Sequence, residues 1–184
     1  MASLTSSLKA PGYREVRLRQ ARVGDIAALA EFIAAYTGDG TLLARSRANL
    51  LHYLRDFRVA ADGAGRLIGC GALQLVNEDL AEIRSLAVDP AWRGAGLGGA
   101  ILRALIADAR DLGVARAFCL TRRTAFFARH GFFVVPMQRY PDKIWNDCRL
   151  CARRDDCDEV AMEMVVPPTP AAASAPLAGL WPGR

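Results

Sequence analysis

The chain has 184 residues, 52% hydrophobic and 23% charged, with a net charge of +5. That is enough for one globular domain with its own core, and it excludes a disordered or fibrous class. The excess charge is almost all arginine, with lysine only at Lys9 and Lys143. This suits an anionic ligand or reflects a genome-wide bias, and without basic runs interleaved with aromatics it argues against a nucleic-acid surface.

"REVRLRQA" alternates Val16 and Leu18 with charges and reads as an edge strand. A helix follows Gly24-Asp25, with Ile26, Leu29, Ile33 and Tyr36 on one face and Asp25 as its cap; "TGDGT" ends it. A second helix starts after Ser46, a candidate N-cap, with Leu50, Leu51 and Leu54 as its apolar stripe. "FRVAA" and "RLIGCGALQLV" read as strands joined by the turn "DGAG", and "NEDL" leads into a fourth strand, "AEIRSLAV". A helix from Leu97 to Leu112 follows, closed by Gly113. Then come the strand "ARAFCL", a short helix in "TAFFARHGF", the strand "FFVVP" and a last strand in "EVAMEMVV". The order β-α-α-β-β-β-α-β-α-β-β predicts an α/β fold with a central β-α-β crossover. The domain is expected over residues 13–166, after a flexible N-terminus at 1–12 and before a disordered Pro- and Ala-rich tail at 167–184. No apolar run reaches the length of a membrane span, and no signal-peptide core opens the chain. Together with five cysteines, an odd number, this reads as a reduced, cytoplasmic protein without a membrane partner.

Between the fourth strand and the long helix, "RGAGLGG" places Gly94, Gly96, Gly98 and Gly99 within six residues. Each glycine weakens a helix by roughly 1 kcal/mol relative to alanine. A glycine-rich turn entering a helix N-terminus is instead suited to anions: the first amides have no partner, the dipole is positive, and phosphate oxygens can come close. The nucleotide P-loop pattern is missing, and the loop follows the fourth strand rather than the first, which argues against a dinucleotide site. Glycines that only let the helix pack close to the sheet are the plainer alternative.

Arg93-x-x-Gly96-x-Gly98 resembles the [QR]-x-x-G-x-[GA] loop of the GNAT superfamily of acyl-CoA-dependent N-acyltransferases, and the element order is similar from about Glu15 to Val166. The resemblance implies a mixed, mostly antiparallel sheet with helices on both faces. It also implies an acetyl-CoA co-substrate. Its pyrophosphate would lie on the Arg93, Gly94, Ala95, Gly96, Leu97, Gly98 and Gly99 loop, and its pantetheine arm along the backbone of Leu86, Ala87 and Val88. The segments "LLARS", "RDFRVA", "GCGAL", "DLAEIRSLAV" and "KIWNDC..C.....CDEVAM" are similar to the short, stand-alone amino-acid N-acetyltransferases, the N-acetylglutamate synthases without a kinase domain. That implies transfer of acetyl to the α-amine of L-glutamate, the entry to arginine synthesis. Another amine acceptor, or a non-catalytic CoA-binding sensor, are the alternatives; a homodimer stays open.

Glutamate's carboxylates call for arginines. Arg84 is the first candidate, because an arginine in an apolar strand is costly to bury without an anion; its alternative is a salt bridge to Glu82. Arg45 and Ser46, in the loop between the first helices, come second, and Lys143 third, although a solvated arginine beside a cap and a surface lysine are the plainer readings. Glu82 is the candidate general base by its resemblance to the family's glutamate, with a water chain or a plain pairing with Arg84 as alternatives. In an unbulged strand Glu82 and Arg84 point to one side. Many relatives carry a tyrosine as general acid four residues before the Gly-Phe at Gly131-Phe132; here that slot holds Phe127, which cannot donate, and Tyr140 is a substitute without support from spacing.

Cys148, Cys151 and Cys157 could supply three zinc ligands, with His130, Asp147 or Asp158 as the fourth. A redox-sensitive loop and simple packing are the alternatives. Cys70 and Cys119 lie in strand patterns and are expected in the core.

Overall fold

The computed structural model describes residues 6–8, 15–38, 40–141, 147–148, 151 and 153–167. The strands are β1 (Ser6–Leu8), β2 (Val16–Gln20), β3 (Phe57–Ala61), β4 (Leu67–Leu75), β5 (Leu80–Val88), β6 (Arg116–Thr121), β7 (Phe133–Val134) and β8 (Val160–Val165). The helices are α1 (Ile26–Ala34), α2 (Arg47–His52), α3 (Leu97–Asp111) and α4 (Thr124–Ala128). The strands form one sheet in the order β1-β2-β3-β4-β5-β6-β8-β7. Every neighbouring pair is antiparallel except β5 and β6, which α3 connects as a parallel crossover. The mixed sheet and the crossover match the expected α/β fold.

Two apolar layers flank the sheet. Leu29 and Ile33 of α1 and Leu50 of α2 pack on Phe57, Val59, Cys70 and Ala72. On the other face Ile101, Leu102 and Leu105 of α3 pack with Ile68, Leu73, Ala81 and Ile83. Close approach of α3 depends on the small residues of "IGCGA". A Cβ at Gly69 would stand 2.9 Å from Ile101 Cδ1, and one at Gly71 3.0 Å from both Ile101 and Leu105. Cys70 and Cys119 are buried, as expected, and burial raises both thiol pKa values, Cys70 to about 12.

Several elements differ from expectation. The strand at Val16–Gln20 is not an edge, because β1, inside the stretch assigned to a flexible N-terminus, pairs with it on the outside. Asp25 precedes α1 but does not cap it: its carboxylate accepts from the Arg22 amide and from Arg19 at 2.6 and 2.8 Å. Those two partners hold its pKa below the usual carboxylate range, chiefly through the Arg19 hydrogen bond. Tyr36 lies beyond the end of α1, where its hydroxyl donates to the Val88 carbonyl at 3.2 Å. Leu51 is exposed, so the inward stripe of α2 is Leu50 with Leu54 one turn on. The strand expected over "FFVVP" shortens to two residues. The tail from 168 and Lys143 lie outside the described residues.

Candidate active site

Two irregularities of β5 prepare the site. The parallel register with β6 covers only Leu80–Glu82 against Arg116–Phe118. Beyond it β6 continues on β8, up to Thr121, and β5 continues on β4, up to Val88. Among the described residues the two strands therefore part after Glu82, leaving the β6 side of Leu86, Ala87 and Val88 without a strand partner. The second irregularity is a bulge. Cys70 faces Ala87 and Ala72 faces Arg84, so Gly71 alone faces both Ser85 and Leu86. Ser85 takes φ 51°, the one non-glycine left-handed residue among those described. Such a backbone costs on the order of 1–3 kcal/mol and tends to collect at functional sites. The bulge begins after Arg84, so Glu82 and Arg84 still share a face, with Arg84 Nη1 3.7 Å from Glu82 Oε2.

The glycine loop follows. Asp89 caps the short turn Pro90–Trp92, accepting from the Ala91 amide at 2.9 Å, and Arg66 holds its other oxygen at 2.9 Å. Gly94 and Gly96 take φ 81° and 80°, and nothing lies within 4 Å of where their Cβ atoms would be. Left-handed backbone and open space together require glycine there and leave room for a ligand. The first helical bond of α3 runs from the Ala100 amide to the Gly96 carbonyl, so the amides of Gly96, Leu97, Gly98 and Gly99 precede the intrahelical ladder. Gly98 and Gly99 differ from these and from each other. A Cβ at Gly98 would make ordinary contact with Phe126 and Val88, whereas one at Gly99 would stand 2.8 Å from His130 Nε2. Arg93 is exposed at the start of this loop. The residues expected to hold the pyrophosphate of acetyl-CoA thus form an open cradle, and the parted strands lead into it.

On the α2 face a pocket is lined by Arg45, Asn49, Tyr53, Asp56, Phe57, Ala72, Gln74 and Arg84. Arg84 comes from the middle of β5 and Gln74 from β4, opposite Glu82. Asn49 comes from α2, Tyr53 directly follows its last residue, and Arg45 sits in the extended segment just before the Ser46 cap. Ser46 does cap this helix, accepting from the Asn49 amide at 3.1 Å, and is exposed. Arg84 and Arg45 converge on one carboxylate: Asp147 Oδ2 lies 2.9 Å from Arg84 Nη2 and 3.7 Å from Arg45 Nη2. Arg84 Nη1 donates to Gln74 Oε1. Asp56 is half-buried, and burial, partly offset by His52, pushes its pKa up to about 6. Glu82 is 5% exposed and lies beside Arg84.

The general-acid slot and its one named substitute are both engaged in packing or pairing. Phe127 is buried and packs edge-on against Phe126 and Phe132. The Tyr140 hydroxyl donates to the buried Glu163 at 2.8 Å while its ring stacks on Phe118 at 3.9 Å. Burial and that carboxylate raise the Tyr140 pKa.

The zinc expectation is not met. Cys148 and Cys151 are half-buried in one turn and Cys157 is exposed. Among the described residues no group of three His, Cys, Asp or Glu side chains is placed to hold a metal. The proposed fourth donors are committed elsewhere: Asp147 to Arg84, Asp158 to Arg153, and His130 to the Phe126 carbonyl at 2.9 Å.

Sequence reasoning passed over Asn49, Tyr53, Asp56 and Gln74, and considered Asp147 only as a metal ligand. The i, i+4 spacing of Asn49 and Tyr53 at the C-terminal end of α2 was the available signal for the first two. Nothing local marks Asp147, which reaches the site only by folding.

The acetyltransferase (GNAT) family model matches residues 26–132. An uncharacterized N-acetyltransferase from Chlorobaculum tepidum is 40% identical over 145 residues, 79% of this chain and 93% of that protein. An amino-acid acetyltransferase from Mycobacterium tuberculosis is 44% identical over 117 residues, 62% of this chain and 67% of that protein. The longer amino-acid acetyltransferase of Neisseria meningitidis is 36% identical, but this chain spans only 32% of its length. Among solved structures, Rv2747 from M. tuberculosis in complex with CoA and NLQ superposes with a TM-score of 0.68 at 34% identity, covering 82% of this chain and 99% of that one. N-acetylglutamate synthase from Neisseria gonorrhoeae, complexed with coenzyme A and N-acetyl-glutamate, superposes with a TM-score of 0.72 at 32% identity, covering 83% of this chain and 35% of that one. A fold with parted central strands, an open glycine cradle at the N-terminus of α3 and these matches lead to one conclusion: the chain belongs to the GNAT acetyltransferase family and is an N-acetyltransferase.

Proposed function

We propose that the protein acetylates the α-amine of an amino acid from acetyl-CoA, that the amino acid is L-glutamate, and that the product enters arginine synthesis. The observation that carries this reading is the pairing of Arg84 and Arg45 on a single carboxylate beside the pocket. Two guanidiniums directed at one carboxylate suit an acidic acceptor and are costly to leave without an anion. The names of the amino-acid acetyltransferases and the N-acetyl-glutamate complex among the relatives support the same acceptor.

In this reading the glycine cradle holds the pyrophosphate and the open edge of Leu86–Val88 pairs with the pantetheine arm, bringing the thioester beside the bulge. The acceptor's ammonium first loses a proton, to Glu82 directly or through water. The neutral nitrogen then attacks the thioester carbonyl and a C–N bond forms; as the adduct collapses the nitrogen gives up its second proton to water or to the departing sulfur, the C–S bond breaks, and CoA leaves. With Phe127 in the usual tyrosine slot and Tyr140 committed to Glu163, the thiolate departs without a proton from either residue. A protein that uses acetyl-CoA and a free amino acid in this way would work in the cytoplasm.

The test is a thiol-release assay with acetyl-CoA and each of the twenty amino acids. Preference for glutamate is the expected result. Turnover only with other amines, or tight acetyl-CoA binding without turnover, would overturn it.

A further inference from the structure

Among the described residues both terminal nitrogens of Arg84 are already engaged: Nη1 with Gln74 and, more distantly, Glu82; Nη2 with Asp147 at 2.9 Å. A carboxylate arriving from outside finds the two-pronged edge of this guanidinium occupied and must displace a partner. Gln74 and Glu82 stand on adjacent paired strands, opposite one another in register. Their backbones are fixed by the central sheet. Asp147 belongs to no strand or helix. Among the described residues it is also the one ion-pair partner that Arg84 shares with Arg45. The chemistry matches as well: Asp147 presents the same group, a carboxylate, to the same two cations.

We propose that Asp147 is an internal stand-in for the acceptor's carboxylate, satisfying Arg84 and Arg45 before the acceptor binds and yielding them when it does. The proposal rests on the reading that these arginines bind an acidic acceptor. Its first consequence concerns cost. Two partly buried guanidiniums without an anion would destabilise the empty site, and Asp147 removes that penalty. Its second consequence concerns specificity. An acceptor must compete with a tethered carboxylate, so an amine lacking a carboxylate gains nothing from displacing it. Asp147 therefore raises the threshold for non-acidic amines while it weakens apparent affinity for the correct acceptor by the fraction of molecules in which the arginines are free.

The experiment compares full-length parent, Asp147→Asn and Asp147→Ala, with Asp155→Asn as a control. Asp155 is an exposed carboxylate on the same part of the chain and pairs with Arg154 rather than with either pocket arginine. For each, kcat and KM are measured for L-glutamate and for acetyl-CoA, together with the melting temperature. If Asp147 competes, both Asp147 variants lower the glutamate KM, by about 3- to 10-fold where the free-arginine fraction is between roughly a tenth and a third. The acetyl-CoA KM stays put, the control does not change, and the melting temperature falls because the empty arginines lose their anion. A glutamate KM that rises in the Asp147 variants would overturn the proposal and make Asp147 an orienting support for the arginines. An unchanged KM would overturn it too, as would a drop of equal size in the control, which would reduce the effect to general charge. Arg84→Ala, run alongside, separates this failure from failure of the function. If it leaves the glutamate KM unchanged, the acceptor assignment itself is wrong; if it raises KM while Asp147→Asn has no effect, only the stand-in fails.

Discussion

Arg84 Nη2 lies 2.9 Å from Asp147 Oδ2, an ion pair between the middle of β5 and a residue 63 positions later in the chain. Glu82, two residues before Arg84, approaches the other end of the same guanidinium at 3.7 Å. Arg84 therefore holds both an internal structural partner and a position in the wall of the proposed acceptor pocket, so its substitution should have two separable effects.

If Arg84 binds the acceptor's carboxylate, Arg84→Ala raises the glutamate KM and spares that for acetyl-CoA. Loss of one partner of a desolvated charge pair costs on the order of 2–5 kcal/mol, a rise of roughly 30-fold or more. Arg84→Lys recovers little, because an ammonium cannot make the two-pronged contact. A purely structural arginine would instead lower the melting temperature and reduce turnover of every amine alike. Kinetics and melting on the same variants distinguish the two.

Glu82→Gln tests the base. General-base catalysis contributes about 100- to 10,000-fold. The variant should lose most near neutral pH and recover in part at high pH, where the free amine predominates. A pH-rate profile superimposable on that of the parent would assign the proton to water or another group.

The glycines of the loop give graded outcomes. Gly96→Ala places a side chain at φ 80°, in space where no protein atom lies within 4 Å. Backbone strain should cost roughly 1–2 kcal/mol of stability, and acetyl-CoA affinity should fall further. Gly98→Ala, with only ordinary contacts, should change stability little. Gly99→Ala meets His130 Nε2 at 2.8 Å and should destabilise. His130→Ala in the same chain should restore part of that loss, and a double-mutant cycle by thermal melting measures the coupling. Strict additivity would show that the imidazole moves aside at no cost.

Asp56 gives a pH signature. Burial raises its pKa to about 6 in the folded protein, above the unfolded value near 3.8. The native state thus favours the protonated acid. Stability from this group is fully present below about pH 4 and is lost as pH rises through about 6. Asp56→Asn, which stays neutral, should therefore stabilise the protein at pH 7 and not at pH 4. Because the carboxyl is only half-buried, the gain should be on the order of 1 kcal/mol after solvent screening. Denaturant melts at the two pH values check it; equal effects at both would assign the change to packing.

The sequence by itself determined the elements that local periodicity and turn chemistry dictate: the crossover around α3, the Ser46 cap, the strands "FRVAA" and "AEIRSLAV", and the glycine loop with its family pattern. It also placed Glu82 and Arg84 on one side, because alternation along a strand is a local rule and the bulge begins only at Ser85. It misjudged what depends on distant partners. Whether Val16–Gln20 is an edge depends on β1 pairing outside it, and the four glycines look alike in sequence although two answer to backbone dihedral and one to the His130 ring. The cysteine spacing suggested a metal because spacing shows residue types, not where their side chains come to rest. Only the tertiary structure brought together the pocket proposed for the acceptor, since it joins side chains from α2 and its flanks, β4 and β5 and pairs two of them with Asp147 across a hundred residues of chain. Ion pairing between such groups is set by through-space distance, and no local pattern encodes that.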